Sequence, residues 1–251
     1  MDQDSALYEY FVSEYEKPFT GWDFSHVNGR LTEEPLPWDY ESMVRALLPE
    51  ARTLLDMGTG GGEFLASLSP LPRDTWTTEG YAPNIPVARE RLTPLGVKVV
   101  PVESDDRLPF EDAAFTHIIN KHESYDAAEV YRILKPGGTF LTQQVGGEND
   151  NDINRALDAP LMKYADWDLA HAAEALTRAG FTVTEKREQQ YVSHFHDSGA
   201  LLYYLKAIPW QVEDFSVDRY YDKLADIHRR IEKDGSFPVD CHRFLVRAVK
   251  R

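Results

Sequence analysis

Two kinds of hydrophobic block alternate along most of this chain. Short apolar runs at residues 53–57, 97–102, 115–120 and 139–144 predict buried strands, and residues 76–79 read as a further strand. Between them, apolar residues three and four apart predict helices over 63–69, 84–92 and 127–134. A helix over 39–48 precedes the first run, capped by Asp39 and stopped by Pro49. Later come a helix over 166–180 ending on Gly180, a strand over 181–190, helices over 198–207 and 217–233, and a last strand over 240–249. Strand and helix in alternation predict an α/β protein with a doubly wound, mainly parallel sheet.

The stretch on which the rest can be placed is Thr53 to Leu65. Its apolar run ends in Asp56, passes through Gly58, Thr59, Gly60, Gly61 and Gly62, and becomes helical again at Phe64 and Leu65. Strand, glycine turn and helix open a nucleotide-binding unit, because glycine allows positive φ and close approach of a ligand. The plain alternative is a glycine-rich surface turn. A dinucleotide fingerprint needs a third glycine where Glu63 stands, and a carboxylate there would repel a pyrophosphate. Asp56 suits a cationic or hydroxylated ligand better.

An acid followed by Gly58, Gly60 and Gly62 resembles the first motif of the class I S-adenosylmethionine-dependent methyltransferases. Three later stretches resemble the same family: Glu79 at the end of the second strand, Leu108-Pro109-Phe110 before an acidic-aromatic run, and Leu134-Lys135-Pro136-Gly137-Gly138 before the fifth strand. The resemblance covers about residues 51–147 and is to the small-molecule, methyltransferase domain 11-like type. It implies a Rossmann-like sheet of seven strands, one to six parallel and the seventh antiparallel between five and six. It also implies S-adenosyl-L-methionine as cofactor, with Asp56, Gly58, Thr59 and Gly60 in the glycine turn. Glu79 would take the ribose hydroxyls, the plain alternative being a surface acid at a strand end; Tyr81 and Ala82 would lie beside the adenine, with Gly80 also at the cofactor. The family's adenine-binding Asp falls on Ser104 when Leu-Pro-Phe is aligned, so either Ser104 or Asp105 does that work.

In a doubly wound sheet the chemistry sits off the carboxyl ends of the strands. The fourth strand exits through Asn120-Lys121-His122-Glu123, the exit nearest the transferable methyl in the family. Asn120 would border the cofactor. His122 and Glu123 are candidate general bases for an acceptor that must lose a proton, against the reading that they only bond locally. The Asn/Asp-Pro-Pro-aromatic motif of nucleic-acid amino-methylating enzymes is absent.

Residues 1–40 hold a predicted helix over 5–16 and then an aromatic, Pro- and Gly-rich loop over 17–38. They read as an N-terminal helix and lid ahead of a methyltransferase domain over 41–251. Trp22, Arg30 and Trp38 are candidates for closing over the cofactor, with Arg30 paired to its methionyl carboxylate. The alternative is that these rings fill a groove beside the sheet. Residues 191–239 read as a helical cap inserted before the last strand. His194-x-His196-Asp197 within it invites a metal reading, but no further ligand separated from that stretch is identifiable, so no metal is expected.

Composition narrows the partner. Lys plus Arg is 27 and Asp plus Glu is 42, a net charge of −15. Such a surface repels a phosphate backbone, so nucleic acid is disfavoured. No apolar run reaches a membrane span, and the acidic first residues lack a signal-peptide layout, so a cytoplasmic location is expected. The expected activity is methyl transfer by in-line displacement to a small organic acceptor. The alternatives are an rRNA, tRNA or protein methyltransferase, a non-catalytic S-adenosylmethionine-binding protein, and a nicotinamide-dependent oxidoreductase. Oligomeric state is left open.

Overall fold

The computed structural model describes residues 3–251. In chain order, α1 (Gln3–Tyr15) is followed by β1 (Leu31–Glu33), α2 (Tyr40–Leu47), β2 (Thr53–Met57), α3 (Glu63–Ser67) and β3 (Asp74–Glu79). Then come α4 (Asn84–Leu92), β4 (Lys98–Pro101), β5 (Phe115–Lys121), α5 (Ala127–Ile133), β6 (Leu134–Val145) and α6 (Asn151–Leu157). The chain closes with α7 (Leu169–Arg178), β7 (Phe181–Phe195), α8 (Ser198–Ala207), α9 (Val217–Asp234) and β8 (Phe237–Lys250).

One sheet has the order β1-β7-β8-β6-β5-β2-β3-β4. β2 pairs in parallel with both β3 and β5, so the strand order reverses between β2 and β5. That reversal opens the crevice in which open α/β sheets bind ligands. β8 lies antiparallel between β6 and β7, as expected for a last strand inserted there.

The continuous apolar run of β2 follows from being covered twice. Leu55 and Met57 pack into one core cluster and Leu54 into another on the opposite face, all at most 1% exposed. Burying each such side chain contributes about 1.5–3 kcal/mol. A third cluster joins α1, α8 and α9 to Phe195, Phe237 and Val239 at the ends of β7 and β8.

The sheet has eight strands rather than seven. The additional one, β1, lies in the stretch expected to be loop, and pairs antiparallel with β7 through Leu31 and Phe195. The segment before residue 40 is therefore tied into the sheet edge. β7 runs to Phe195 because its alternation continues through buried Tyr191, Ser193 and Phe195. The loop expected over 146–152 turns helical at Asn151, where α6 buries Ile153 and Leu157. The expected turn at 134–138 is a bulge: Leu134 faces Phe115 and Thr139 faces His117, with the intervening residues looped out at Gly137, φ +77°. Among the described residues, no helix is long and apolar enough to cross a membrane.

Candidate functional site

β2 delivers Asp56, 3% exposed, to the crevice, and the chain then turns through Gly58, Gly60 and Gly62 at φ +69°, +62° and +82°. The turn is held from β3. Thr59 N–H donates to the Thr78 carbonyl at 3.1 Å. Gly60 N–H donates to Glu79 Oε2 and Tyr81 N–H to Glu79 Oε1, both at 2.7 Å. Glu79 thus clasps the first two βα turns together. A carboxylate oxygen accepts more than one hydrogen bond, so it retains capacity for a diol. Beside it Tyr81 presents its ring to solvent, 65% exposed.

The far wall comes from the loops after β4 and β5. A cavity of about 290 Å³ is lined by Gly58, Gly80, Ser104, Asp105 and Glu123, among others. Ser104 and Asp105 both reach it. The Ser104 hydroxyl donates to Asp106 at 2.6 Å, while Asp105 accepts from the Ser124 hydroxyl across the cavity.

Three acids, Glu103, Asp105 and Glu123, line this space, and the strand-end carboxylates Asp56 and Glu79 lie close enough to act on it electrostatically. Burial pushes Asp56 up to about 7, with the charges of Glu79 and Glu123 acting in the same direction. Glu123 also rises to about 7, through burial and then the charges of Asp105 and Glu79. Burial raises Glu79 too, against the hydrogen bonds from Tyr81 and Gly60. Lys121 offsets Asp56 in part, and the acids together favour a cationic ligand among them.

At the exit of β5, Asn120 is fully buried. Its Oδ1 accepts from Thr142 Oγ1 at 2.9 Å and Gln144 Nε2 at 2.6 Å, while its Nδ2 has no partner among the described residues. Next to it His122 adopts a left-handed φ of +64°, a strained backbone for a non-glycine residue. Its Nε2 lies 2.9 Å from Gln143 Nε2, and Gln143 Oε1 accepts from Trp38 Nε1 at 2.7 Å. Burial, then the charges of Arg243 and Lys121, hold the imidazole well below its ordinary pKa. His122 is therefore neutral and weakly basic, which favours Glu123 of the two candidate bases.

Two lid candidates fall elsewhere. Arg30 binds Asp197 bidentately, Nε to Oδ2 at 2.9 Å and Nη2 to Oδ1 at 2.6 Å, and Nη2 also reaches Glu14. Its guanidinium fastens the N-terminal segment to α8 and is not directed at a cofactor carboxylate. Trp38 is 7% exposed and packs in the core cluster with Val44 and Leu141. Trp22 does reach the glycine turn: a Cβ at Gly60 would stand 3.3 Å from the Trp22 Cβ. Its ring stacks on Trp210, from the α8–α9 connection, at 6.2 Å and 5°. Glu63 pairs with Arg91, which also donates to the Gly61 carbonyl. The repulsion expected from Glu63 is thus largely neutralised, and the acids left to oppose a pyrophosphate are those lining the cavity, Glu103, Asp105 and Glu123. Asp197 caps α8, His194 meets Ser236, and His196 meets Thr32. Among the described residues no group of three or more His, Cys, Asp or Glu side chains is placed to hold a metal.

The reading of β6 as an apolar strand passed over Thr142, Gln143 and Gln144. Polar residues crowded at the carboxyl end of a central strand were the available signal. Arg91 and Trp210 gave none, since each is brought in by a distant helix or loop.

A model of the methyltransferase domain matches residues 55–142, from β2 through the glycine turn and the exit of β5 to β6. Ubiquinone/menaquinone biosynthesis C-methyltransferase UbiE of Neisseria meningitidis is 31% identical over 116 residues, 41% of this chain and 47% of that protein. Residues 55–142 thus carry a methyltransferase domain. The chain matches about half the length of these curated relatives. A structure of a candidate methyltransferase from Bacillus halodurans superposes with a TM-score of 0.60 at 18% identity, covering 84% of this chain and 96% of that one. The Bacillus subtilis protein YcgJ gives 0.59 at 16%, covering 84% and 97%. The [4+2]-cyclase SpnF gives 0.50 at 18%, covering 83% and 80%. At these identities the likeness is one of fold. Class I methyltransferase domains generally use S-adenosylmethionine, and the donor set here fits it: acids for a sulfonium and an ammonium, Glu79 for a diol, and a glycine turn beside the cavity.

Proposed function

We propose that this protein binds S-adenosylmethionine in the β2–β3 crevice and transfers its methyl group to a small organic acceptor. The observation that carries the reading is the acidic cavity at Gly58, lined by Glu103, Asp105 and Glu123 and flanked by the strand-end acids Asp56 and Glu79. It suits a ligand bearing two positive centres and opposes a pyrophosphate. Glu79 would hold the ribose hydroxyls and Tyr81 would face the adenine. Asp105 or Ser104 would meet its amino group, and Asn120 Nδ2 would find an acceptor on the ligand.

The cofactor supplies a methyl on a sulfonium leaving group, so the protein's part is mainly orientation and exclusion of water. Trp22 and Trp210 would cover the glycine turn. Glu123, with a pKa near neutrality, would take the proton of a hydroxyl or amine acceptor. The acidic surface supports a small molecule over RNA as acceptor.

Calorimetry with S-adenosylmethionine, S-adenosylhomocysteine and NAD tests the site, and methyl transfer to a metabolite extract tests the reaction. Micromolar binding of the first two and none of NAD is expected. NAD binding alone would overturn the assignment. Tight binding of both sulfur compounds with no transfer to any extract would leave a binding protein.

A further inference from the structure

Arg243 lies on β8, opposite Val145 at the last residue of β6 and Gln189 of β7. It shares a sheet face with Gln143 of the His122 network and with Tyr191 and Cys241, by strand alternation. The residue is 8% exposed and makes no ion pair among the described residues. Its Nη1 donates to Asn149 Oδ1 and to the His242 carbonyl. Nε and Nη2 donate to nothing among the described residues. Its guanidinium carbon stands 5.6 Å from the centre of the Tyr191 ring. Asp150, 2% exposed, acts on it electrostatically but accepts from Tyr204 at 2.8 Å and from the Cys241 thiol at 3.6 Å.

Asp150 offsets part of this charge but forms no ion pair with it, and a buried guanidinium met only at a distance is costly unless a ligand completes it. The idle pair of nitrogens is the edge that recognises carboxylates. Arg30 uses that same edge, Nε and Nη2, to bind Asp197 at 2.9 and 2.6 Å. Arg243 is also well placed for the acceptor. β8 is three strands from β2, about 14 Å at ordinary strand spacing, too far to serve the cofactor at Gly58. Yet its charge reaches His122, beside the expected methyl.

We propose that Arg243 binds a carboxylate of the acceptor through its Nε–Nη2 edge, beside the rings of Tyr191 and Tyr204. The acceptor is then a small organic acid. The assignment rests on the methyltransferase reading above.

The full chain, with and without saturating S-adenosylhomocysteine, is titrated by calorimetry against small hydroxy, oxo and aromatic monocarboxylic acids, each beside its methyl ester. At least one acid is expected to bind, with its ester about tenfold weaker or more. R243Q should lose that preference for the acid. R243K keeps the charge without the forked edge and should fall between. Affinity for S-adenosylmethionine should stay within about twofold in both variants, since Arg243 does not line the cavity at Gly58. The proposal is overturned if no acid binds, if acid and ester bind alike, or if a variant with native circular dichroism binds acid as the parent does. Should R243Q fail to fold, R243K carries the comparison. Loss of cofactor binding in the parent would instead sink the methyltransferase reading, while acid binding without cofactor would still judge Arg243.

Discussion

The side chain of Glu123 lies across Gly58. A β-carbon at position 58 would come within 2.3 Å of both its Cγ and its Oε2. The glycine also sits at φ +69°. Any side chain there meets two penalties, a left-handed backbone and a carboxylate already in the space. G58A should lose cofactor binding by at least about tenfold and lower stability by about 1–2 kcal/mol. Calorimetry and denaturant unfolding measure the two effects, and an unchanged affinity would remove Gly58 from the site.

Glu123 also bears on the difference between cofactor and product. S-adenosylmethionine carries one more positive charge than S-adenosylhomocysteine, and Glu123 borders the cavity that would hold it. E123Q should narrow the preference for the charged form several-fold, while leaving the product's affinity nearly unchanged. Equal loss for both ligands would argue against an electrostatic role.

Glu79 acts on the fold as well as on a ligand. Removing its carboxylate strands the Gly60 and Tyr81 N–H groups. E79A should therefore cost about 1–3 kcal/mol of stability without any ligand present. A thermal melt unchanged by the substitution would contradict the clasp between the two turns.

Arg30 predicts the reverse pattern. Breaking its pairs with Asp197 and Glu14 should destabilise the contact of the N-terminal segment with α8, by on the order of 1–3 kcal/mol. Cofactor affinity of R30A should remain within about threefold of the parent, provided the variant is folded. A large selective loss of affinity would return Arg30 to the cofactor site.

Asp56 and Glu123 make the ligand-free protein sensitive to alkali. Their ordinary values are 3.8 and 4.5, and both rise to about 7 in the folded state. Between about pH 4 and 7 the native protein keeps protons that the unfolded chain has released. Stability from these groups is thus complete below about pH 4 and lost as pH rises through 7. Cofactor binding favours the charged carboxylates, so affinity should increase from pH 6 to 8 with release of protons. Calorimetry in buffers of different ionisation enthalpy counts them, and zero release would exclude this coupling.

The glycine turn, the two strand-end acids and the parallel core were legible because each is written in contiguous residues. Asp56 through Gly62 needs only its own backbone to form a turn, and alternating strand and helix patterns imply a doubly wound sheet. β1 was not legible. Three residues of ordinary composition become a strand only because the edge of β7 offers partners to Leu31 and Glu33. The partner of Arg30 was not legible for a similar reason: a lone arginine in an aromatic loop has no visible partner until α8 brings Asp197 to it across 167 positions. The sequence by itself determined the kind of fold and the place of the crevice, through local periodicity and backbone freedom. Tertiary structure decided which charges meet there, because an ion pair, or a buried cation such as Arg243 with no direct ion pair, exists only once distant strands are side by side.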